Sequence, residues 1–354
     1  MHEGGEYDFA VVGAGSAGCP LAARLSEGGR HRVLLLEAGP PDRSPWIHLP
    51  IGYGKTFLDP KVNWKYETDP EPHLGGRRIY WPRGKVLGGS SSINGHVYVR
   101  GVPADFDLWR QQGCEGWSYA DLLPYFRLSE GNARGADEWH GGSGPLGVED
   151  PRWRGAVMEA YIAASMQAGL PRNPDFNGES QEGVGYFQLT IRNGRRSSAA
   201  SAFLAPARER DNLRVVTGAH VERLLLEGAR ARGLVWRMGD GSRAQARVRG
   251  EIVLCGGAIN SPQLLMLSGI GPGEHLREMG IEVRRDLPGV GGNLQDHYQI
   301  RSLYRMARPG SLNEKLASPF GKIALAAAYL FGRRGLLTIG AGVVGAFART
   351  RPEL

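Results

Sequence analysis

A chain of 354 residues with 41% hydrophobic content is long enough to bury two cores and too apolar to stay disordered. Its net charge of +7 is carried by arginines interleaved with acids; the tight pairs Arg77-Arg78, Arg195-Arg196, Arg284-Arg285 and Arg333-Arg334 form no concentrated stripe. That excludes a nucleic-acid surface and leaves a solvated basic exterior, suited at most to an anionic ligand or an acidic membrane face. Three widely spaced cysteines, Cys19, Cys114 and Cys255, give neither a disulfide framework nor a metal site, so reduced thiols and a cytoplasmic location are expected.

The first six residues lack the basic region and apolar core of a signal peptide, so export is not expected. Tyr7 to Val12 reads as a short apolar strand, Gly13-Ala14-Gly15-Ser16-Ala17-Gly18 as a tight turn, and Cys19 to Leu25 as a helix with apolar spacing. In such a unit Gly13 makes the turn, Gly15 lets backbone meet a pyrophosphate at the helix N-terminus, and Gly18 allows helix and strand to touch. Arg32 to Leu36 supplies a second strand ending in Glu37, placed to accept hydrogen bonds from an adenosine ribose.

Pro40 to Pro82 is a Pro-rich excursion carrying Trp46, Tyr53, Phe57, Trp64, Tyr66 and Trp81, either packed by its own aromatics or folded as a lid over a ligand. Gly88-Gly89-Ser90-Ser91-Ser92, with Gly95 after Ile93 and Asn94, follows Arg83-Gly84-Lys85-Val86-Leu87. So many small residues let backbone N–H groups approach a flat, electron-rich ligand such as a flavin ring. A nicotinamide dehydrogenase would share the N-terminal unit but gives no reason for this loop.

Tyr119 to Leu128 and Ala156 to Ala168 read as amphipathic helices, and His140 to Pro145 between them as a turn cluster and domain crossing. Leu213 to Val216, Val221 to Leu226, Leu234 to Arg237 and Arg247 to Cys255 read as strands of a meander that returns to the main sheet. Gly256-Gly257-Ala258 forms a second glycine turn, with Ser261-Pro262 as N-cap and N1 of a helix to Leu267. From about Arg301 the periodicity is ambiguous, and the apolar run Ile323 to Phe331 is far short of the ~20 residues of a membrane span.

Taken together the motifs resemble the glucose-methanol-choline (GMC) flavoprotein oxidoreductases, in a choline-dehydrogenase-like or alcohol-dehydrogenase branch. The resemblance rests on Gly13 to Gly18 with Glu37-Ala38-Gly39, Trp81 to Asn94, Arg100-Gly101, Gly257 to Leu265 with Ser268-Gly269-Ile270-Gly271, and Gly292-Asn293-Leu294-Gln295-Asp296-His297. It covers residues 7 to 297. The fold it implies is α/β, with an FAD-binding Rossmann-like domain and part of a second, substrate-binding α+β domain. The FAD-binding domain would take 1–150 and 197–297, and the substrate domain 151–196 and an incomplete 298–354.

The implied cofactor is FAD. Its binding set would be Gly13, Gly15, Ser16, Gly18, Glu37, Ala38, Arg83, Val86, Gly89, Asn94, Gly95, His96, Val97, Val221, Ala258, Asn293 and Asp296. Of these, Val86 and Asn94 to Val97 would line the flavin, Val221 would meet the adenine through its backbone, and Asn293 and Asp296 would sit near the ribityl end. The family's covalent FAD attachment uses a histidine just before the Asn of this block; here that position is Ile93, so noncovalent FAD is expected.

The implied reaction is hydride transfer from the CH–OH carbon of a primary alcohol to flavin N5. The acceptor stays open between oxygen, a quinone and a redox protein, and peripheral association with an inner membrane fits the basic exterior. The nine histidines all precede residue 298 and none stands in the family's catalytic His segment, so no catalytic residue is assigned and the chain reads as truncated. A non-catalytic flavin-binding fragment is the alternative. Gln299 stands where choline-active relatives tend to have Glu.

Overall fold

The structure is a computed structural model and describes residues 2–305 and 312–351. It forms two compact units, one from Met1–Arg43, Leu58–Ile93 and Ala199–Arg308, the other from Ser44–Phe57, Asn94–Ser198 and Pro309–Leu354. Whereas the sequence predicts a domain boundary at 150, one division between these units falls at Ile93/Asn94. No change of composition marks it, because it is set by pairing between distant short strands: Val97–Tyr98 pairs antiparallel with Gln188–Leu189. The turn cluster at His140 has both its flanks in the second unit. Of the expected incomplete segment 298–354, residues 306–311 and 352–354 lie outside the described residues.

The first unit is built on a six-stranded sheet. Strand β1 (His2–Val12) is followed by helix α1 (Gly18–Leu25) and strand β2 (Val33–Glu37); β3 (Leu213–Thr217), β4 (Ala219–Glu227), β5 (Arg230–Met238), β6 (Arg243–Leu254) and helix α2 (Gly257–Leu267) complete it. The spatial order is β3-β2-β1-β6-β5-β4, parallel from β3 to β6 and antiparallel beyond. Leu213 to Thr217 is thus a parallel edge strand beside β2, not part of the meander. It turns back through Gly218, which has φ of +67°, so local sequence alone could not assign its partner.

The apolar run Val33-Leu34-Leu35-Leu36 is buried throughout, as a central parallel strand covered on both faces must be. Alternation along β1 and β2 sends Val11, Val33 and Leu35 toward Cys19 and Ala22 of α1, and toward Leu204 and Ala207. Ala10, Val12, Leu34 and Leu36 face a second core with Leu224, Leu234 and Trp236 of the antiparallel arm and Leu264 of α2, so the arm curls over that face.

Helix α2 begins at Gly257, four residues before the expected Ser261-Pro262 start, and Pro262 lies inside it. One backbone N–H is lost there. The glycine turn is complete by Gly256, so the earlier start brings the helix's unpaired first-turn N–H groups next to the strand end.

In the second unit, helix Ala156–Gln167 buries Ile162 against Val184 and Tyr186 of strand Gly183–Tyr186. That strand pairs antiparallel with Val344–Phe347. Helix Pro319–Gly332 adds Leu325 to the same core and is capped by Ser318 Oγ, which accepts from the Gly321 N–H. Among the described residues no helix is long and apolar enough to cross a membrane.

Leu35 is fully buried between sheet and helix, so Leu35→Ala should destabilise the fold by about 2–5 kcal/mol. Chemical denaturation followed by circular dichroism measures it; a loss under about 1 kcal/mol would mean that this layer is not the core of the unit.

Candidate cofactor site

The carboxyl ends of β1, β2 and β6 open on one edge of the sheet, the edge where open α/β sheets take ligands. A crevice of about 510 Å³ lies there, lined by Gly13 and Gly15 to Ala17, Glu37-Ala38, Arg83-Gly84, Gly89-Ser90, Ala219 to Val221, and the first half of α2. The glycine turns in its wall are locked to one another by backbone hydrogen bonds. Gly13 N–H donates to the Leu36 carbonyl at 2.8 Å, Gly88 N–H to the Ala14 carbonyl at 2.7 Å, and Gly218 N–H to the Gly39 carbonyl at 2.8 Å.

Two of the turn glycines are demanded by the protein itself. Gly13 has φ of +100° and a Cβ there would sit 2.5 Å from the Cys255 carbonyl oxygen, while a Cβ on Gly18 would run into the Gly13 carbonyl. Gly15 differs, because its φ is ordinary and a Cβ would meet nothing closer than Gly89 Cα at 3.7 Å. The protein leaves room for a side chain at Gly15, and the room is the crevice.

Glu37 is buried and holds the two glycine turns together. Oε2 accepts from the Ala14 N–H at 2.9 Å and Oε1 from the Gly39 N–H at 2.8 Å. Burial pushes its pKa up to about 7, against the pull of those two N–H groups and of Lys85.

Of the expected residues, Gly13, Gly15, Ser16, Glu37, Ala38, Arg83, Gly89, Val221 and Ala258 line the crevice. Gly18 stands behind the turn, and Val86 is fully buried in the same unit. Asn293 and Asp296 are exposed on the segment after Val290 and are not among the lining residues.

Asn94, Gly95, His96 and Val97 belong to the second unit. There the Asn94 side-chain oxygen accepts from the His96 N–H at 3.2 Å and from Arg196 Nη1 at 2.8 Å, and His96 has φ of +68°. The His96 ring is wholly buried, with Nε2 3.1 Å from the Pro50 carbonyl and Nδ1 3.5 Å from that of Thr190. Burial first, and the Arg196 charge second, hold its pKa down to about 3, so the ring is neutral. Both ring nitrogens face backbone carbonyls, and the neutral imidazole donates to one of them. His297 is exposed.

Sequence reasoning missed Trp64, Tyr66, His220 and Asn260 in the crevice wall. The Trp64 and Tyr66 rings stack 5.8 Å apart at 6°, Lys85 Nζ lies 4.6 Å over the Trp64 ring, and Tyr66 Oη is 2.5 Å from Asn260 Oδ1. The aromatic density of 40–82 was the available signal. It is divided between the units: Tyr53 and Phe57 pack on each other in the second, at 5.6 Å. Cys19 is buried, its thiol donating to the Ala14 carbonyl at 3.1 Å, and burial pushes its pKa up to about 12. Among the described residues no cluster of His, Cys, Asp or Glu could hold a metal.

A parallel sheet whose carboxyl edge carries a glycine cradle, with a carboxylate closing the second strand, defines a dinucleotide-binding α/β protein. The chain belongs to the GMC oxidoreductase family, whose N-terminal family model matches residues 7–299. It is 45% identical to a mitochondrial choline dehydrogenase from Mus musculus over 98% of this chain and 59% of that protein. It is 46% identical to an oxygen-dependent choline dehydrogenase from Brucella anthropi over 93% of this chain and 60% of that one. Among solved structures, an FAD-dependent oxidoreductase from Chaetomium thermophilum superposes with a TM-score of 0.86 at 30% identity, covering 96% of this chain and 61% of its own. The chain thus spans about three-fifths of the length of these relatives.

The raised Glu37 pKa has a definite sign. A carboxyl whose folded pKa lies near 7 rather than 4.5 favours the fold below pH 4.5 and loses that contribution as pH rises toward 7. Glu37→Gln cannot ionise, but it can serve only one of the two N–H groups with its single oxygen. The variant should be less stable than wild type at pH 4.5, with the gap in Tm narrowing toward pH 7. Parallel Tm–pH curves would mean that Glu37 titrates normally.

Proposed function

We propose that the protein is an FAD-dependent oxidoreductase acting on the CH–OH group of primary alcohols, with FAD held noncovalently. The observation that carries this reading is Gly15, a glycine that the protein's own packing does not require, set in the wall of a nucleotide-sized crevice between the α1 N-terminus and Gly89. Glycine is needed there only if something else must come that close.

The residues present suit the group. Backbone N–H groups at the start of α1 favour a pyrophosphate, and Arg83 and Ser90 line the same space. Glu37, joined to both turns through its oxygens, faces the crevice where a ribose hydroxyl can donate to it. Val221, Trp64 and His220 supply an apolar wall for adenine. Ala38 and Ala258, both short, keep the crevice open. To Val86, Asn94, Gly95, His96 and Val97 the reading assigns contact with the flavin, and to Asn293 and Asp296 its ribityl end. Bound FAD supplies a two-electron acceptor for oxidation of an alcohol to a carbonyl. The chain's own part is to bind and orient: His96, neutral and spent on backbone carbonyls, holds its turn and takes no proton from substrate.

The two relatives act on choline by name, which makes choline the first alcohol to test, with a medium-chain alkanol and benzyl alcohol beside it. Oxygen is the first acceptor to test, from the Brucella relative's name. A second reading, flavin binding without turnover, draws on the same histidines: the buried ring of His96 and the exposed ring of His297 give neither a positioned base. Anaerobic mixing separates the two, since bleaching of the flavin band by an alcohol supports the enzyme, and an unchanged band with FAD retained supports the binder.

Gly15→Val should fold, since the protein leaves space for the side chain, and should weaken FAD binding by at least ~100-fold, about 2.8 kcal/mol. Titration of the apoprotein with FAD by flavin fluorescence measures it; wild-type affinity in the folded variant would remove this turn from the site. Acid precipitation should release the yellow colour to the supernatant, because Ile93, wholly buried, has no nucleophilic atom. Colour kept in the washed pellet would refute noncovalent binding.

A further inference from the structure

The second unit buries a group of charges that the cofactor reading does not use. Glu130 is completely buried; its Oε2 lies 2.5 Å from Arg100 Nη2 and its Oε1 accepts from Asn132 Nδ2 at 2.9 Å. His140, also buried, stands between two carboxylates. Its Nδ1 is 3.0 and 3.2 Å from the Glu130 oxygens, and its Nε2 is 2.7 Å from Asp175 Oδ2. A neutral imidazole has one N–H, so it would serve one carboxylate and turn a lone pair on the other. Only the imidazolium donates to both. With it, Arg100 and His140 balance Glu130 and Asp175 in charge.

The group joins distant parts of the chain. Arg100 N–H donates to Asn177 Oδ1 at 2.7 Å, Asn177 Nδ2 donates back to the Tyr98 carbonyl at 3.0 Å, and Arg100 Nη1 donates to the Trp139 carbonyl at 2.8 Å. The Asp175 carboxylate also caps its own loop by accepting from the Asn177 N–H at 3.0 Å. The loops at 133–145 and 173–177 are thereby held on the strand Val97–Tyr98, directly after the His96 turn.

We propose that His140 is a protonation latch: as imidazolium it clamps Glu130 and Asp175 and fastens these two loops to the strand, and loss of its proton gives up one of the two carboxylate bonds, leaving Nδ1 to the Asn132 amide 3.2 Å away when Asp175 is the bond kept, and loosens the loops. The groups around it come from every element packed there. Tyr98 and Arg100 belong to the strand side, Glu130 to the short strand Glu130–Asn132, and Arg134 and Asp137 to its own loop. Asp150 pairs with Arg134 at 2.7 Å, and Asp175 lies opposite. Burial alone would lower the His140 pKa, but the hydrogen bonds and charges of Asp175 and Glu130 outweigh it and raise the value to about 9. Because the folded pKa lies above the ordinary 6.5, the latch is at full strength below pH 6.5 and is lost as pH rises through about 9. Tyr98 does not interfere in that range, since burial raises its pKa from 10.

The test follows the His140 ring by NMR in the full chain, together with amide hydrogen exchange of residues 133–145 corrected for intrinsic base catalysis. A ring midpoint near 9 is expected, with protection in the loop falling about tenfold or more between pH 7.5 and 10 as the latch opens. Asp175→Asn removes one carboxylate at constant shape; its ring midpoint should drop toward the ordinary range, and its loop should exchange at pH 7.5 as the wild-type loop does near pH 10. A wild-type midpoint between 6 and 7, or protection that stays constant to pH 10, would overturn the proposal. A variant matching wild type at every pH would do the same. Should Asp175→Asn fail to fold, the wild-type titration and exchange profile decide alone.

Discussion

The first unit depends on backbone meeting backbone at the carboxyl edge of its sheet. The Gly13 and Gly18 positions touch carbonyl groups where any Cβ would collide, and the Ala14 and Gly39 turns are drawn together by the two oxygens of a single buried carboxylate, Glu37. Packing this close is open only to glycine. It brings β1, β2 and β6 to a common edge and gives the crevice a part of its wall made of peptide groups, with Trp64, Tyr66, Arg83 and His220 among the residues lining the rest.

Burial has opposite results at the titratable groups, and the partners decide which. Glu37 has two N–H donors yet is driven toward neutrality because little else solvates it. His96, against carbonyls and beside Arg196, is held neutral. His140, equally enclosed, is held charged by two carboxylates. At Glu37 and His96 the cost of burying charge outweighs hydrogen-bond partners that favour the charged form, and at His140 two carboxylates outweigh that cost. This is why histidines that look alike in the sequence take different parts: His96 fixes a turn, His140 ties loops, and His220 closes a crevice wall.

Both units are closed by pairings between distant parts of the chain. In the first, β1 pairs with β6 and β2 with β3, although β1, α1 and β2 themselves follow one another with short connections. In the second, strand pairs link Val97 to Leu189 and Gly183 to Phe347. Loops carrying charged residues are held by buried ion pairs where the regular sheet is too short to fix them. Removing one partner of such a pair leaves the other charge buried without compensation, which costs about 3–5 kcal/mol. The Arg100–Glu130 pair is of this kind.

The sequence by itself determined the strand-turn-helix at Tyr7 to Leu25, the second strand ending at Glu37, the second glycine turn at Gly256-Gly257, and the crevice positions Gly13, Gly15, Glu37 and Gly89, while Ala38, Arg83, Val221 and Ala258 came with the family resemblance. These are legible because steric need is local: a glycine where backbone must turn or touch, an apolar run where a strand is covered on both faces. Tertiary structure alone decided that Leu213 to Thr217 lies beside β2, that the chain divides at Ile93, that Trp64 and Tyr66 wall the crevice while Tyr53 and Phe57 do not, and that His140 is clamped between Glu130 and Asp175. Each depends on which distant segment a residue meets. Residue type and spacing carry no record of that, because an aromatic ring or an imidazole suits many neighbours and takes its role from the one the fold supplies.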